Sequence, residues 1–244
     1  MVSTRNHLKY EKHIEKYLHP QGIRVDIGSD FPVKPESYDL IVPLNFPKKL
    51  NQVVNHKNVI VFHTSDLPLG RGWSPIANIF LKEEKFYCLT CFVANSSIDA
   101  GDILMKMRFK IRANDTATSI RKIDDNLMIL GILLILSHFK GKEYCGISQD
   151  NQMGTYFSKR NKEENEIFLD QSIGEILPIL RSAEKEHNCF VTKDGYTFEL
   201  VLKPTIEPKF PSDITVEFLY KNEKWDLSTY LDANNINVLP PEQL

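Results

Sequence analysis

The sequence predicts an α/β fold, a mostly parallel twisted sheet with flanking helices and a small β extension at the carboxyl end. Three observations point there. Short apolar, β-branched runs alternate with helical periodicities in the order strand, helix, strand that a doubly wound sheet requires. The run Val59-Ile60-Val61-Phe62 is apolar without interruption, as in a strand covered on both faces. And 244 residues that are 42% apolar and 10% aromatic can bury a sizeable core.

Taken in order, Tyr10, Ile14, Tyr17 and Leu18 fall on one helical face and predict a helix over residues 6–18. Residues 23–27 alternate as a short strand, and residues 38–44 form a buried strand ended by Pro43. Pro47 opens a helix through Val54, and residues 58–63 read as a central parallel strand. A loop with two glycines and a proline follows, after which Ser74 caps and Pro75 opens the next helix. Residues 86–94 form a buried strand; residues 102–111, where Met105, Met107 and Phe109 alternate with Lys106, Arg108 and Lys110, a half-exposed one. Asp115 caps a long helix over 116–139, whose apolar stretch 127–136 predicts burial on most sides. Residues 155–160 are extended, Asp170 starts a helix through Lys185, and residues 189–192 and 196–202 make a hairpin across Asp194-Gly195. Pro204, Pro208 and Pro211 form a linker to a last segment, containing 214–220 and Trp225, that docks as an extra hairpin. The organisation expected is therefore a domain over 1–203 with an extension over 204–244. Residues 1–6 are too few and polar for a full opening strand, which reads as short or missing.

Thirty Lys and Arg against 32 Asp and Glu leave a formal charge of −2, without the positive excess that backbone-driven nucleic-acid binding needs. The longest apolar run, 127–136, is about half the roughly 20 residues of a membrane-spanning helix, and the polar start has no signal-peptide core. A cytoplasmic protein acting on neither nucleic acid nor membrane is the expectation. Cys88 and Cys91 have C-x-x-C spacing but lie in a strand, where residues three apart face opposite ways. Cys145 and Cys189 form no second pair, so no metal site is expected.

Two loops hold more polar and conformationally special residues than connection demands. His63 ends an apolar strand, at the carboxyl edge where open α/β sheets place their ligand clefts. Asp99 lies in the Asp-Ala-Gly turn after the next long strand. An imidazole beside a carboxylate is suited to proton transfer near neutral pH. A hydrogen-bonded structural histidine is the alternative reading, and Asp102 reads equally as a turn residue.

His63-Thr-Ser-Asp-Leu-Pro-Leu-Gly-Arg-Gly-Trp-Ser-Pro75, followed by Ile98-Asp-Ala-Gly-Asp-Ile103, resembles the folate-dependent formyltransferases. These carry an H-x-S-x-L-P…R-G…P loop and a D-x-G-D turn in that order and at that separation. The resemblance covers roughly residues 35–200 and extends through Thr155-Tyr-Phe-Ser-Lys-Arg160 and Leu180-Arg181 to members acting on nucleotide-linked amino sugars. It implies the formyltransferase fold, which is Rossmann-like, and transfer of a formyl group from N10-formyltetrahydrofolate to an amine. His63 and Asp99 match the catalytic pair. Ser65, Asp66, Leu67, Pro68, Arg71 and Gly72 are implied to border the folate, and Trp73, Lys159, Arg160 and Arg181 the substrate.

One position departs from the family. Two residues before the histidine, where members have an Asn as oxyanion donor, stands Val61; losing such a donor without replacement costs about 2.7–4 kcal/mol. Asn58 has the opposite strand parity, so a backbone N–H, a loop hydroxyl or protonated His63 is expected to take its place. About 40 residues of mixed charge after Pro204 do not resemble the basic domain with which members formylate methionyl-tRNA. The implied activity is thus sugar N-formylation, on something like a dTDP- or UDP-linked 4-amino-4,6-dideoxyhexose for surface polysaccharide such as O-antigen, with a homodimer left open. The contrasting reading is a non-catalytic nucleotide-sugar or folate-binding protein of the same fold.

Overall fold

A computed structural model describes residues 1–4, 7–45, 57–184 and 187–236. The elements run β1 (Val2–Ser3), α1 (His7–Tyr17), β2 (Ile27–Gly28), β3 (Val42–Pro43), β4 (Ile60–His63), β5 (Arg71–Gly72), α2 (Pro75–Leu81), β6 (Phe86–Val93), β7 (Ile103–Lys110), α3 (Ala117–Phe139), β8 (Tyr156–Phe157), α4 (Ile173–Ser182), β9 (Cys189–Lys193), β10 (Tyr196–Leu200), β11 (Thr215–Phe218), β12 (Glu223–Asp226) and α5 (Leu227–Ala233). The helix expected over 47–54, the Asn6 start of the first helix and the Lys185 end of the fourth lie outside the described residues. The opening strand is present but short, seated between β2 and β3.

The sheet corrects one expectation. Among the described residues, parallel pairing is found in β2-β1-β3, in the two-residue pair β5-β8, in a bridge from Glu166 to Phe190 and in a bridge from Ile41 to Val59, which joins the β2-β1-β3 ribbon to the strand leading into β4. From β4 onward the order β4-β6-β7-β11-β12 is antiparallel at every step. The apolar run before His63 announces burial on both faces, and burial carries no information about the direction of the neighbouring strand. The short 94–102 turn between β6 and β7 returns the chain antiparallel.

α3 lies across this sheet. Leu127, Ile129, Leu134 and Ile135 are fully buried, and its continuous apolar stretch is covered on most sides as its composition demands. Its cap is Thr116 rather than Asp115: the Thr116 hydroxyl accepts from Ser119 N, while Asp115 accepts from Arg112 N (2.8 Å) and its guanidinium. α4 likewise starts later than Asp170, at a capping box between Ser172 and Glu175. β7 is buried along most of its length rather than half-exposed, because Lys106 meets an anion instead of water. The β9–β10 hairpin turns at Asp194 and Gly195, both with positive φ, as a tight two-residue turn requires. In the carboxyl-terminal segment, β11 extends the sheet beside β7 and buries Val216 and Phe218 in the main core.

Candidate active site

β4 delivers His63 to the sheet edge with its ring 9% exposed. Nε2 lies 2.8 Å from Gly70 O. A carbonyl can only accept, so Nε2 carries the proton, and Nδ1 is the position left for chemistry. Nδ1 faces Asp99 Oδ2 at 3.6 Å. That separation is an ion-pair distance longer than a hydrogen bond, and it leaves both atoms able to take another partner.

Asp99 is held from three sides. Its Oδ2 accepts from Gly72 N at 2.9 Å, its φ of +49° is one that Asp tolerates, and its carbonyl accepts from Gln149 Nε2 at 3.0 Å. Gln149 Nε2 also reaches Gly101 O at 2.8 Å. Gly101 cannot be replaced, since a Cβ there would sit 1.7 Å from Val93 O. Gly72 has φ +97°, and a Cβ would sit 2.8 Å from Phe157 O, where β5 lies against β8. Asp102 accepts from Ser148 Oγ at 2.9 Å, closing the far side of the turn.

Arg71 belongs to this scaffold. Only 2% exposed, it donates to Gln149 Oε1 (2.7 Å), Asn151 Oδ1 (2.9 Å) and Tyr156 OH (3.3 Å). It therefore acts on Asp99 through Gln149 rather than from an open cleft. Gln149 and Asn151 carry no recognisable spacing, and sequence reasoning passed over both.

The 64–70 loop is fastened at several points. Thr90 Oγ1 donates to Ser65 O (2.6 Å), and Lys106 Nζ to Leu67 O (2.6 Å) and Asp66 Oδ1 (2.5 Å). Burial pushes the Asp66 carboxyl up, but Lys106 and Arg108 together hold it below its usual range. Thr64 Oγ1 and Tyr87 OH both donate to Asp124 Oδ1, at 2.6 and 2.5 Å, pinning the end of β4 to α3; burial pushes the Asp124 carboxyl up. Leu67 is fully buried against Val61, Phe92 and Ile103. Val61 therefore presents hydrocarbon, and Asn58 turns away to donate to the carbonyls of Pro35 (3.1 Å) and Tyr38 (2.6 Å). Ser65 Oγ is buried and has no hydrogen-bond partner among the described residues.

The expected substrate residues separate. Trp73 follows Gly72 directly, is 56% exposed, and carries Lys159 Nζ 5.6 Å from its ring centroid. Arg160 is buried and donates to Ser182 O (3.0 Å) and Oγ (2.8 Å). Arg181 lies over Phe80 and donates to the carbonyls of Asp115 and Arg112, both at 2.9 Å. None of those bonds goes to the His63–Asp99 pair. Cys88 and Cys91 are free and buried in β6, the Cys88 thiol being pushed up to about 11 by burial. Among the described residues no helix is long and apolar enough to cross a membrane.

No family model matches the chain. Among curated proteins it is 33% identical over 129 residues to the methionyl-tRNA formyltransferase of Buchnera aphidicola subsp. Baizongia pistaciae, covering 52% of this chain and 39% of that protein. With the methionyl-tRNA formyltransferase of Alkaliphilus oremlandii it shares 27% identity over 176 residues, 69% of this chain and 56% of that one. The chain thus spans about half the length of these relatives. Among solved structures, HypX from Aquifex aeolicus in complex with tetrahydrofolic acid superposes with a TM-score of 0.70 at 15% identity, over 97% of this chain and 47% of that one. A methionyl-tRNA formyltransferase from Clostridium thermocellum gives 0.65 at 20% identity, over 89% and 97%. A sugar N-formyltransferase from a Shewanella species gives 0.60 at 18%, over 85% and 97%. These likenesses show a formyltransferase fold.

Proposed function

We propose that this chain is a formyltransferase that moves a formyl group from N10-formyltetrahydrofolate to the amine of a nucleotide-linked amino sugar. The observation that carries the reading is the facing pair His63 Nδ1 and Asp99 Oδ2, each fixed by backbone contacts and each with a free valence. The bound donor supplies an electrophilic formyl carbon on N10. The chain supplies what the transfer needs around that carbon. Asp99 accepts the proton that the attacking amine must lose. His63, held by Gly70 O with Nδ1 inward, donates to the oxygen on which charge develops when its ring carries a second proton, on Nδ1; this is the task Val61 does not perform. The proton passed to Asp99 is returned to N10 as its bond to the formyl carbon breaks.

The unpaired Ser65 hydroxyl, next to buried Leu67, suits a ligand that brings polar ring atoms into an apolar slot. Ser65, Leu67 and Pro68 are the residues that would hold the donor, with Asp66, Arg71 and Gly72 positioning them and Asp99. Trp73, next to Gly72 in the chain, and Lys159 offer an exposed aromatic ring with an adjacent cation, suited to a nucleotide or sugar ring.

The formal charge of −2 favours a small substrate over a polyanion. A second reading has a specific observation behind it: the curated relatives above are methionyl-tRNA formyltransferases. Incubation with 10-formyltetrahydrofolate and, separately, a panel of dTDP- and UDP-amino sugars and methionyl-tRNA separates them. Formylated nucleotide sugar is expected; formylated methionyl-tRNA alone would replace the first reading with the second. Tetrahydrofolate binding without any product would make the chain a binding protein of this fold.

A further inference from the structure

One face of the sheet next to the site is a continuous polar grip. Cys88 and Thr90 of β6 stand opposite Arg108 and Lys106 of β7, and Lys106 stands opposite Glu217 of β11, so these side chains share a face. Above them lies the 64–70 loop. Asp66 Oδ1 accepts from Lys106 Nζ at 2.5 Å and from Arg108 Nη2 at 2.7 Å. Arg108 turns its second nitrogen, Nη1, to Glu217 Oε2 at 3.0 Å. Two cations two residues apart on one strand repel, and Asp66 neutralises only one charge. Glu217 supplies the other, which leaves Arg108 oriented with one nitrogen for the loop and one for β11.

We propose that β11 is a positioning element of the donor site, bracing the 64–70 loop through the chain Glu217–Arg108–Asp66. Asp66 is then an anchor of the loop, its charge spent on β7 rather than on a ligand. The carboxyl-terminal segment thereby serves the site that the first part of the chain carries. That this loop borders the formyl donor rests on the function proposed above; the brace itself does not.

The test compares Glu217→Gln with the unaltered chain, alone and in an Asp66→Asn background, by amide-hydrogen exchange over residues 64–70, by tetrahydrofolate titration and by thermal melting. Glu217→Gln keeps the shape of the side chain and removes its charge. Exchange in the loop should quicken about fivefold, the top of the range for a partly exposed ion pair, and the tetrahydrofolate Kd should rise by a similar factor while the melting temperature stays near that of the unaltered chain. Both effects should vanish in the Asp66→Asn background, because one chain of contacts cannot be broken twice. Unchanged loop exchange in Glu217→Gln, or effects that add fully with Asp66→Asn, would overturn the proposal. Should Glu217→Gln fail to fold, Glu217→Asp, which retains the charge at a shorter reach, is to show the same loop-specific change at a smaller size; wild-type exchange there overturns it equally. A chain whose loop responds to Glu217→Gln but which binds no tetrahydrofolate sustains the brace and refutes the functional reading.

Discussion

The two ring nitrogens of His63 have different partners, and the proposed chemistry rests on that difference. Nε2 is committed to Gly70 O, a partner that depends on the positive φ of Gly70 in the loop below. Nδ1 is the free one, and Asp99 faces it. Replacing His63 with Asn is expected to lower kcat by about 10²–10⁴-fold, the usual worth of a placed proton-transfer group, with the melting temperature little changed. Asp99→Asn should do the same while binding of tetrahydrofolate persists. Steady-state kinetics with melting curves check both, and a turnover within a factor of a few of wild type in either would remove that residue from the mechanism. Both residues were legible in the sequence because their motifs are local. Gln149 and Asn151 were not, because they reach the site from a distant segment, Gln149 directly at the Asp99 carbonyl and Asn151 through Arg71, and isolated amides carry no pattern.

At the scale of elements, backbone fit and buried polar ties decide how firmly the site is held. Gly101→Ala would drive a methyl into the Val93 carbonyl, so the turn carrying Asp99 must shift. A loss of about 3 kcal/mol or more is expected, together with activity, measurable by denaturant unfolding and the transfer assay. A variant of native stability would mean that the turn is looser than its geometry indicates. Asp124→Ala leaves the Thr64 and Tyr87 hydroxyls buried without their acceptor, a cost of about 2–4 kcal/mol for two stranded donors and a cavity. The sequence located β6, β7, α3 and the β9–β10 hairpin because their periodicities are long. It misjudged the exposure of β7, since Lys106 alternates like a surface residue and only its ion pair with Asp66 reveals its burial. The cap of α3 was placed one residue early because Asp ranks above Thr as a cap, whereas the Asp115 carboxylate is taken by Arg112 and Thr116 caps instead.

Across the whole molecule, the parallel amino-terminal ribbon is joined by the Ile41–Val59 bridge to the antiparallel sheet β4-β6-β7-β11-β12, with His63 on β4 beside the junction and the carboxyl-terminal segment at the far edge. That closure is expected to respond to pH. His138 of α3 stacks on Phe218 at 3.7 Å and meets the hydroxyls of Tyr220 (2.8 Å) and Tyr230 (3.3 Å). Burial, with Lys221 nearby and only Glu223 opposing, holds its pKa below the ordinary 6.5. The unfolded chain then binds the proton more readily than the folded one. The stability conferred by neutral His138 is complete above about pH 6.5 and is lost as pH falls below it. Denaturant midpoints at about pH 7.5 and 5.5 should differ less in His138→Phe than in the unaltered chain; an equal difference would place the pH dependence elsewhere. The strand directions behind this architecture were beyond the sequence, because apolar runs report burial and leave the neighbour's orientation open.

The central claim is that His63 and Asp99 work on one formyl group. Mass spectrometry of a nucleotide-linked amino sugar incubated with 10-formyltetrahydrofolate and the chain tests it most directly, run beside the His63→Asn variant. The account predicts a mass gain of one formyl group on the amine with the unaltered chain and none above background with the variant. Equal formylation by both, or none by the unaltered chain with any amine offered while it binds tetrahydrofolate, would contradict it.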